Sequence, residues 1–209
     1  MKVSKEQSAR NRQVLIETAA RLFRERGFDG VGVMEISKAA GLTQGAFYAH
    51  FKSKEALATE ANRYLQQESQ NHLLAVKGTS SDDLQAYVEL YVSKANRDGP
   101  FGCPMAAYAG EVCRQGDELQ EMFTEGLEDM VNTLQATLPA DLAPNEARRR
   151  ALTIAVTMIG AVTLARANRR TPSFSDEILA SIKQELLSNK LNLLSITPDT
   201  APSEPDGQS

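Results

Sequence analysis

Within 41-GLTQGAFYAHFKSKEAL-57 a phenol (Tyr48), an imidazole (His50) and two ammonium groups (Lys52, Lys54) follow one another closely. They form no nucleophile–base pair and no metal-ligand spacing, but each can donate a hydrogen bond to a phosphate oxygen. Just ahead of them, Thr43, Gln44 and Gly45 open a predicted helix. Thr43 suits its N-cap, and the free N–H groups and dipole of a helix start favour a phosphate. Gln44 can reach a base edge, and Gly45, lacking a side chain, lets the backbone come close. The chemistry implied is contact with double-stranded DNA, through phosphates first and bases second.

The elements that must hold such a surface are helices. Apolar residues recur at helical spacing with few alternating runs, which predicts an all-α chain of about nine helices. The first runs from about Arg10 to Arg26 and ends at Gly27. Two short ones follow, Val33–Ala40 and Gln44–His50, joined by Gly41-Leu42-Thr43 at the spacing of a helix-turn-helix. Small Ser37 permits a close crossing, Gly41 permits a positive φ, and Ile36, Leu42, Phe47 and Phe51 supply a core against the first helix. Ser53 caps a fourth helix reaching Ala75. The remaining helices are read over Leu84–Arg97, Met105–Arg114, Asp117–Leu138, Glu146–Asn168 and Asp176–Leu194. The expected division is a DNA-binding head over 1–52, a body over 53–195, and a Pro/Asp/Ser-rich disordered tail over 196–209.

Charge supports that division. The whole chain carries a net −4, yet residues 1–63 hold 11 Lys+Arg against 7 Asp+Glu, and the remainder 12 against 20. A head at +4 on a body at −8 suggests that only the head meets a polyanion. The polar start MKVSKEQSARNRQ lacks the apolar segment of a signal peptide, and two cysteines do not make a disulfide framework. The most apolar run, 151-ALTIAVTMIGAVTLA-165, falls short of the roughly 20 residues that span a bilayer and is read as a buried helix. The expected location is cytoplasmic, with no membrane partner, cofactor or metal. An enzyme is disfavoured: His50 and His72 have no cysteine in sequence reach, and neither a phosphate loop nor HExxH is present. An architectural DNA binder without an effector is the competing class, but it needs no large acidic body.

The run 13-QVLIETAARLFRERGFDGVGVMEISKAAGLTQGAFYAHFKSKEAL-57 resembles the N-terminal domain of the tetracycline-repressor (TetR) family of bacterial transcriptional regulators. Phe47, Tyr48, His50, Phe51 and Lys54 carry its most specific piece. Gly32 departs from it, standing where many members have a capping Thr or Ser. The resemblance implies phosphate contacts by Tyr48, His50 and Lys54, and bases near Gln44. It further implies a ligand-responsive repressor that binds a palindromic operator as a homodimer, paired through helices 146–168 and 176–194, with a small-molecule inducer held in the body. Candidate linings for that inducer are Phe101, Cys103, Met105, Tyr108, Met122, Phe123 and Met158.

Apolar residues around most of helix 146–168, with Ala155, Gly160, Ala161 and Ala165 for close approach, agree with such pairing. The spacing of Cys103 and Cys113 also resembles the electrophile-sensing branch of the family, in which the first cysteine is modified. At a helix N-terminus the Cys103 thiolate would be favoured. Arg166 stands where that branch has a reactive lysine and cannot readily form the same sulfur–nitrogen link. A capping Cys103 with a buried Cys113 is the alternative. An unstrained disulfide between them is excluded, because ten helical residues span about 15 Å.

Overall fold

The computed structural model describes residues 4–76, 83–99 and 102–188. Among the described residues there are ten helices and no strands: α1 (Lys5–Arg26), α2 (Val33–Ala39), α3 (Gln44–Tyr48), α4 (Lys54–Val76), α5 (Asp83–Tyr91), α6 (Lys94–Asp98), α7 (Pro104–Val112), α8 (Asp117–Gln135), α9 (Pro144–Ala167) and α10 (Pro172–Ser188). Tail residues 196–209, and the expected end of the last helix at Leu194, lie outside the described residues.

Several boundaries differ from expectation for a local reason. α1 starts at Lys5, because Ser4 Oγ accepts from Gln7 N and caps polar turns ahead of the apolar stripe. α3 stops at Tyr48, where His50 N turns back to Phe47 O at 2.9 Å. The expected helix Leu84–Arg97 is two helices. Ser93 takes an extended conformation (φ −132°, ψ 158°) and its Oγ accepts from Asn96 N, so it ends one helix and caps the next. α10 begins at Pro172, four residues before the expected Asp176, since a first-turn proline gives up only an N–H that has no partner there anyway.

Two clusters of buried side chains hold the fold. One joins α1–α4, through Leu15, Phe23, Ile36, Phe47, Leu57 and Leu65, to Tyr108, Val112, Leu119 and Met122 from α7 and α8. The head is therefore seated on the body by shared core, with α4 lying along α1. The other cluster fills the body around α9, whose Ala151, Ile154, Met158, Val162 and Ala165 face inward against α5, α8 and α10. Each fully buried Leu, Ile or Met here contributes about 1.5–3 kcal/mol relative to exposure. With its 24 residues, α9 is long and apolar enough to cross a bilayer by length and composition. The apolar run alone suggested less, but its place at the centre of the body accounts for that composition.

Candidate functional site

The turn between α2 and α3 is built as its residue types require. Gly41 sits at φ +69°, Leu42 N bonds to Ser37 O at 2.9 Å, and buried Ser37 returns its hydroxyl to Val33 O at 2.8 Å. Thr43 then caps α3, its Oγ1 accepting from Ala46 N at 3.2 Å. Phe47 is fully buried, which turns the opposite side of α3 outward. Thr43, Gln44, Gly45, Tyr48 and Lys52 are exposed together, and His50 is half-buried beside them. Tyr48 is held edge-on against Phe47 with ring centroids 5.1 Å apart, so its hydroxyl stands out on a fixed stem. Gly32 caps α2 without a side-chain bond, as its residue type implies.

Lys54 is less free than expected. Its ammonium donates to Phe28 O at 2.8 Å, inside the head, and two of its three hydrogens are left for any phosphate. This bond belongs to a chain of contacts that sequence reasoning missed. Phe28 N donates to the Glu111 carboxylate at 2.7 Å, and the Phe28 ring packs 4.6 Å from that of Tyr108. Both partners lie on α7, so the loop after α1 is fastened to the body through one residue. Gly27 makes room for this at φ +76°, where an added Cβ would come 2.3 Å from Glu111 Oε1. A second fastening is Arg24, 5% exposed, which donates from Nε to Gly102 O and from Nη2 to Asn96 O. Gly27 was the only sequence signal for any of this, and it pointed merely to a helix end.

The candidate linings do not converge on one place. Cys103, Met105 and Met158 are buried in the body cluster, Tyr108 and Met122 in the cluster shared with the head, and half-buried Phe123 touches both. Phe101 lies outside the described residues. The cysteines reverse the expected pair of roles. Cys113 is exposed, not buried, because it falls on the outer side of the end of α7, and both thiols are free. Cys103 is buried at the start of α7, where backbone N–H groups of Met105 and Ala106 do favour its thiolate. Burial outweighs them and pushes the thiol's pKa up, contrary to the activation expected at a helix start. Its position as N-cap brings no side-chain cap bond either.

The sum is an N-capped, solvent-facing α3 on a tripod of helices, joined by defined bonds to a larger helical body. Residues 15–61 match the family model described as bacterial regulatory proteins of the TetR family, and residues 81–176 match the C-terminal domain model described as transcriptional regulator LmrA/YxaF-like. The HTH-type transcriptional repressor NemR of Escherichia coli K12 is 28% identical over 132 residues, covering 61% of this chain and 66% of NemR. The repressor AcnR of Corynebacterium glutamicum is 36% identical over 99 residues, covering 43% and 53%. The chain thus spans less than two thirds of the length of these curated relatives. Among solved structures, a TetR-family regulator from Cytophaga hutchinsonii superposes with a TM-score of 0.72 at 23% identity, covering 90% of this chain and 98% of that one, which shows a shared fold. With the two family models covering head and body in turn, the chain belongs to the TetR family of bacterial transcriptional regulators.

Proposed function

We propose that this protein is a cytoplasmic transcriptional repressor that grips a two-fold operator as a homodimer and releases it when a small molecule enters its body. The observation that carries this reading is the exposed set Thr43, Gln44, Gly45, Tyr48 and Lys52, presented by a capped helix whose other side is locked into the core. Tyr48, His50, Lys52 and the free hydrogens of Lys54 bind phosphates and set the register, while Gln44 reads a base edge. NemR and AcnR are named as repressors, which supports repression over activation.

Pairing of two copies is supported by α9 and α10. Leu152, Val156 and Leu164 are 38%, 62% and 57% exposed on one side of α9, with Phe174 at 49% on α10. Gly160 continues the same one-turn stripe, and an added Cβ there would meet nothing within 4 Å. An apolar stripe of this kind on the surface suits a second helix pair related by two-fold symmetry. That symmetry would place two α3 helices in successive major grooves. Of the candidate linings, Cys103, Met105 and Met158 in the body cluster form the wall for an inducer bound without covalent chemistry. An inducer that shifts α7 moves Glu111 and Tyr108, hence Phe28 and Lys54, so the conformation fit for DNA becomes less populated.

The test is fluorescence anisotropy with duplexes from the DNA flanking its own gene, over a salt series. Binding should weaken steeply with salt, as release of counterions from several phosphates requires. Gln44→Ala should alter preference among duplexes more than affinity for all of them. Binding that ignores salt, or a Gln44→Ala variant with wild-type preference, would contradict the assignment of α3.

A further inference from the structure

We infer that the outer turns of α1 form a second surface for DNA, on which Lys5, Ser8 and Arg12 hold phosphates of the duplex beside those met by α3. The inference rests on the DNA-binding reading above and extends its surface to a helix which that reading left unused.

α1 divides sharply by burial. All of its buried residues lie between Leu15 and Arg24, in the core that the head shares with the body. Its body end is fixed as well, since Arg24 donates to Gly102 O and Asn96 O while its own carbonyl accepts from Arg166. From Lys5 to Val14 no residue is buried, and Lys5, Glu6, Gln7, Ala9, Arg10 and Gln13 are exposed. At the helical rise these ten residues run about 15 Å. A helical stretch of that length which buries nothing is marginal in water on propensity alone. Here Ser4 caps its start, and the Gln7 amide donates to Asn11 Oδ1 at 2.8 Å one turn on. Local bonds thus hold a polar rod outside the core.

The position of the rod selects its partner. Arg12 lies over the ring of Phe51, with 5.1 Å from the guanidinium carbon to the ring centroid. Phe51 stands in the chain between His50 and Lys52, two members of the proposed phosphate surface, so α1 adjoins that surface here. Residues 12, 8 and 5 are four and seven positions apart and share one side of a helix. Ser8 and Lys5 therefore continue the line outward from Arg12, for about 10 Å along the axis. The line is positively charged. Arg12 and Arg63 of α4 share the single carboxylate of Glu60, at 3.3 and 3.4 Å, and Lys5 has no ion pair among the described residues. Glu6, the one acid in residues 5–14, points about 100° round the helix from Lys5. With no large apolar side chain, the line offers nothing to the core of a protein interface. An ammonium, a hydroxyl and a guanidinium in a row, continuous with Lys52, fit the phosphates of a duplex.

The test is fluorescence anisotropy of the full-length protein over a salt series. One labelled duplex comes from the DNA flanking its own gene, and the other is a scrambled sequence read at low salt. Lys5→Ala should weaken binding to both about fivefold, as loss of one exposed ion pair in each of two subunits implies. It should lower the salt slope by about one per bound subunit and leave the preference between duplexes unchanged, since phosphates carry no sequence. Adding Ser8→Ala should deepen the loss. Arg10→Ala removes the same charge from the opposite side of α1 and should titrate like wild type. All three positions lie outside the core, so thermal melts should show each variant folded as wild type. Equal losses from Lys5→Ala and Arg10→Ala would reduce the effect to overall charge and overturn the contact. Wild-type binding by Lys5→Ala, alone or with Ser8→Ala, would overturn it too, while leaving the α3 reading in place. Wild-type protein that binds neither duplex would overturn the DNA-binding reading, and this inference with it.

Discussion

Two glycines let stability and the proposed DNA contact be tested apart at the level of single residues. Gly27 has a backbone conformation reserved for glycine and the Glu111 carboxylate where a Cβ would go. Gly27→Ala should therefore cost about 1–3 kcal/mol and lower the melting temperature by several degrees. Gly45 has a helical backbone, and its nearest obstacle is Thr43 Oγ1 at 3.8 Å, an ordinary contact. Gly45→Ala should leave the melting temperature unchanged or raised, by up to about 1 kcal/mol of helix propensity, while weakening DNA binding. Equal loss of both properties in either variant would show that the two roles are misassigned. Lys54 combines them. Lys54→Ala should lower DNA affinity, reduce the salt slope by about one, and also cost about 1 kcal/mol through its bond to Phe28 O. Chemical denaturation beside anisotropy measures each part. The exposed side chains of this surface were legible in the sequence, because a short helix and its cap are local. The partners of Lys54 and Phe28 were not: Glu111 lies 83 residues from Phe28, and only tertiary packing brings them together.

Helices whose ends carry caps at short range were likewise readable. Thr43 and Ser53 cap α3 and α4 as their types suggest, and Pro104 opens α7. The break between α5 and α6 was hidden, because one serine interrupts an otherwise continuous apolar pattern. α6 is then fixed by ion pairs that no periodicity reveals. Arg97, its side chain 10% exposed, binds Asp98 and Asp176, while Lys94 also reaches Asp176, so α6 is tied to the start of α10. Hydrogen bonds from these partners hold the Asp98 and Asp176 carboxyls below their usual range, and Arg149 and Arg150 bring Glu146 down to about 2. Carboxyls depressed in the folded state add stability above their unfolded pKa and lose it as pH falls toward the folded one. Melting temperature should accordingly hold above pH 4.5 and fall progressively between pH 4.5 and about 2. Asp176→Asn should lower it at pH 7 and flatten its descent over that window. A variant descending in parallel with wild type would mean that the tie between α6 and α10 adds nothing in acid.

For the whole molecule, the question is what covers α9 and α10. α9 turns Ala151, Ile154, Met158 and Val162 into its own core, yet leaves Leu152, Val156 and Leu164 facing outward. The sequence showed apolar residues around most of this helix; the fold shows which of them one subunit cannot use. Their spacing of four residues, with Gly160 in the same row, makes a straight stripe into which a symmetry-related helix can pack. Val156 is central in it and 62% exposed, so arginine there disturbs no packing within one subunit. Val156→Arg should keep the helical circular dichroism of the wild type while halving the mass seen by light scattering after gel filtration. In the proposed dimer two α3 helices share the grip, so a monomer's affinity for a two-site operator should fall by orders of magnitude. Affinity for a single half-site should hardly change, because α3 and its fastenings lie within each subunit. A dimeric Val156→Arg protein would put the interface elsewhere on the body. A monomer that still bound the full operator tightly would show that each head grips DNA alone, and the proposed link between body geometry and release would then have no second head to act through.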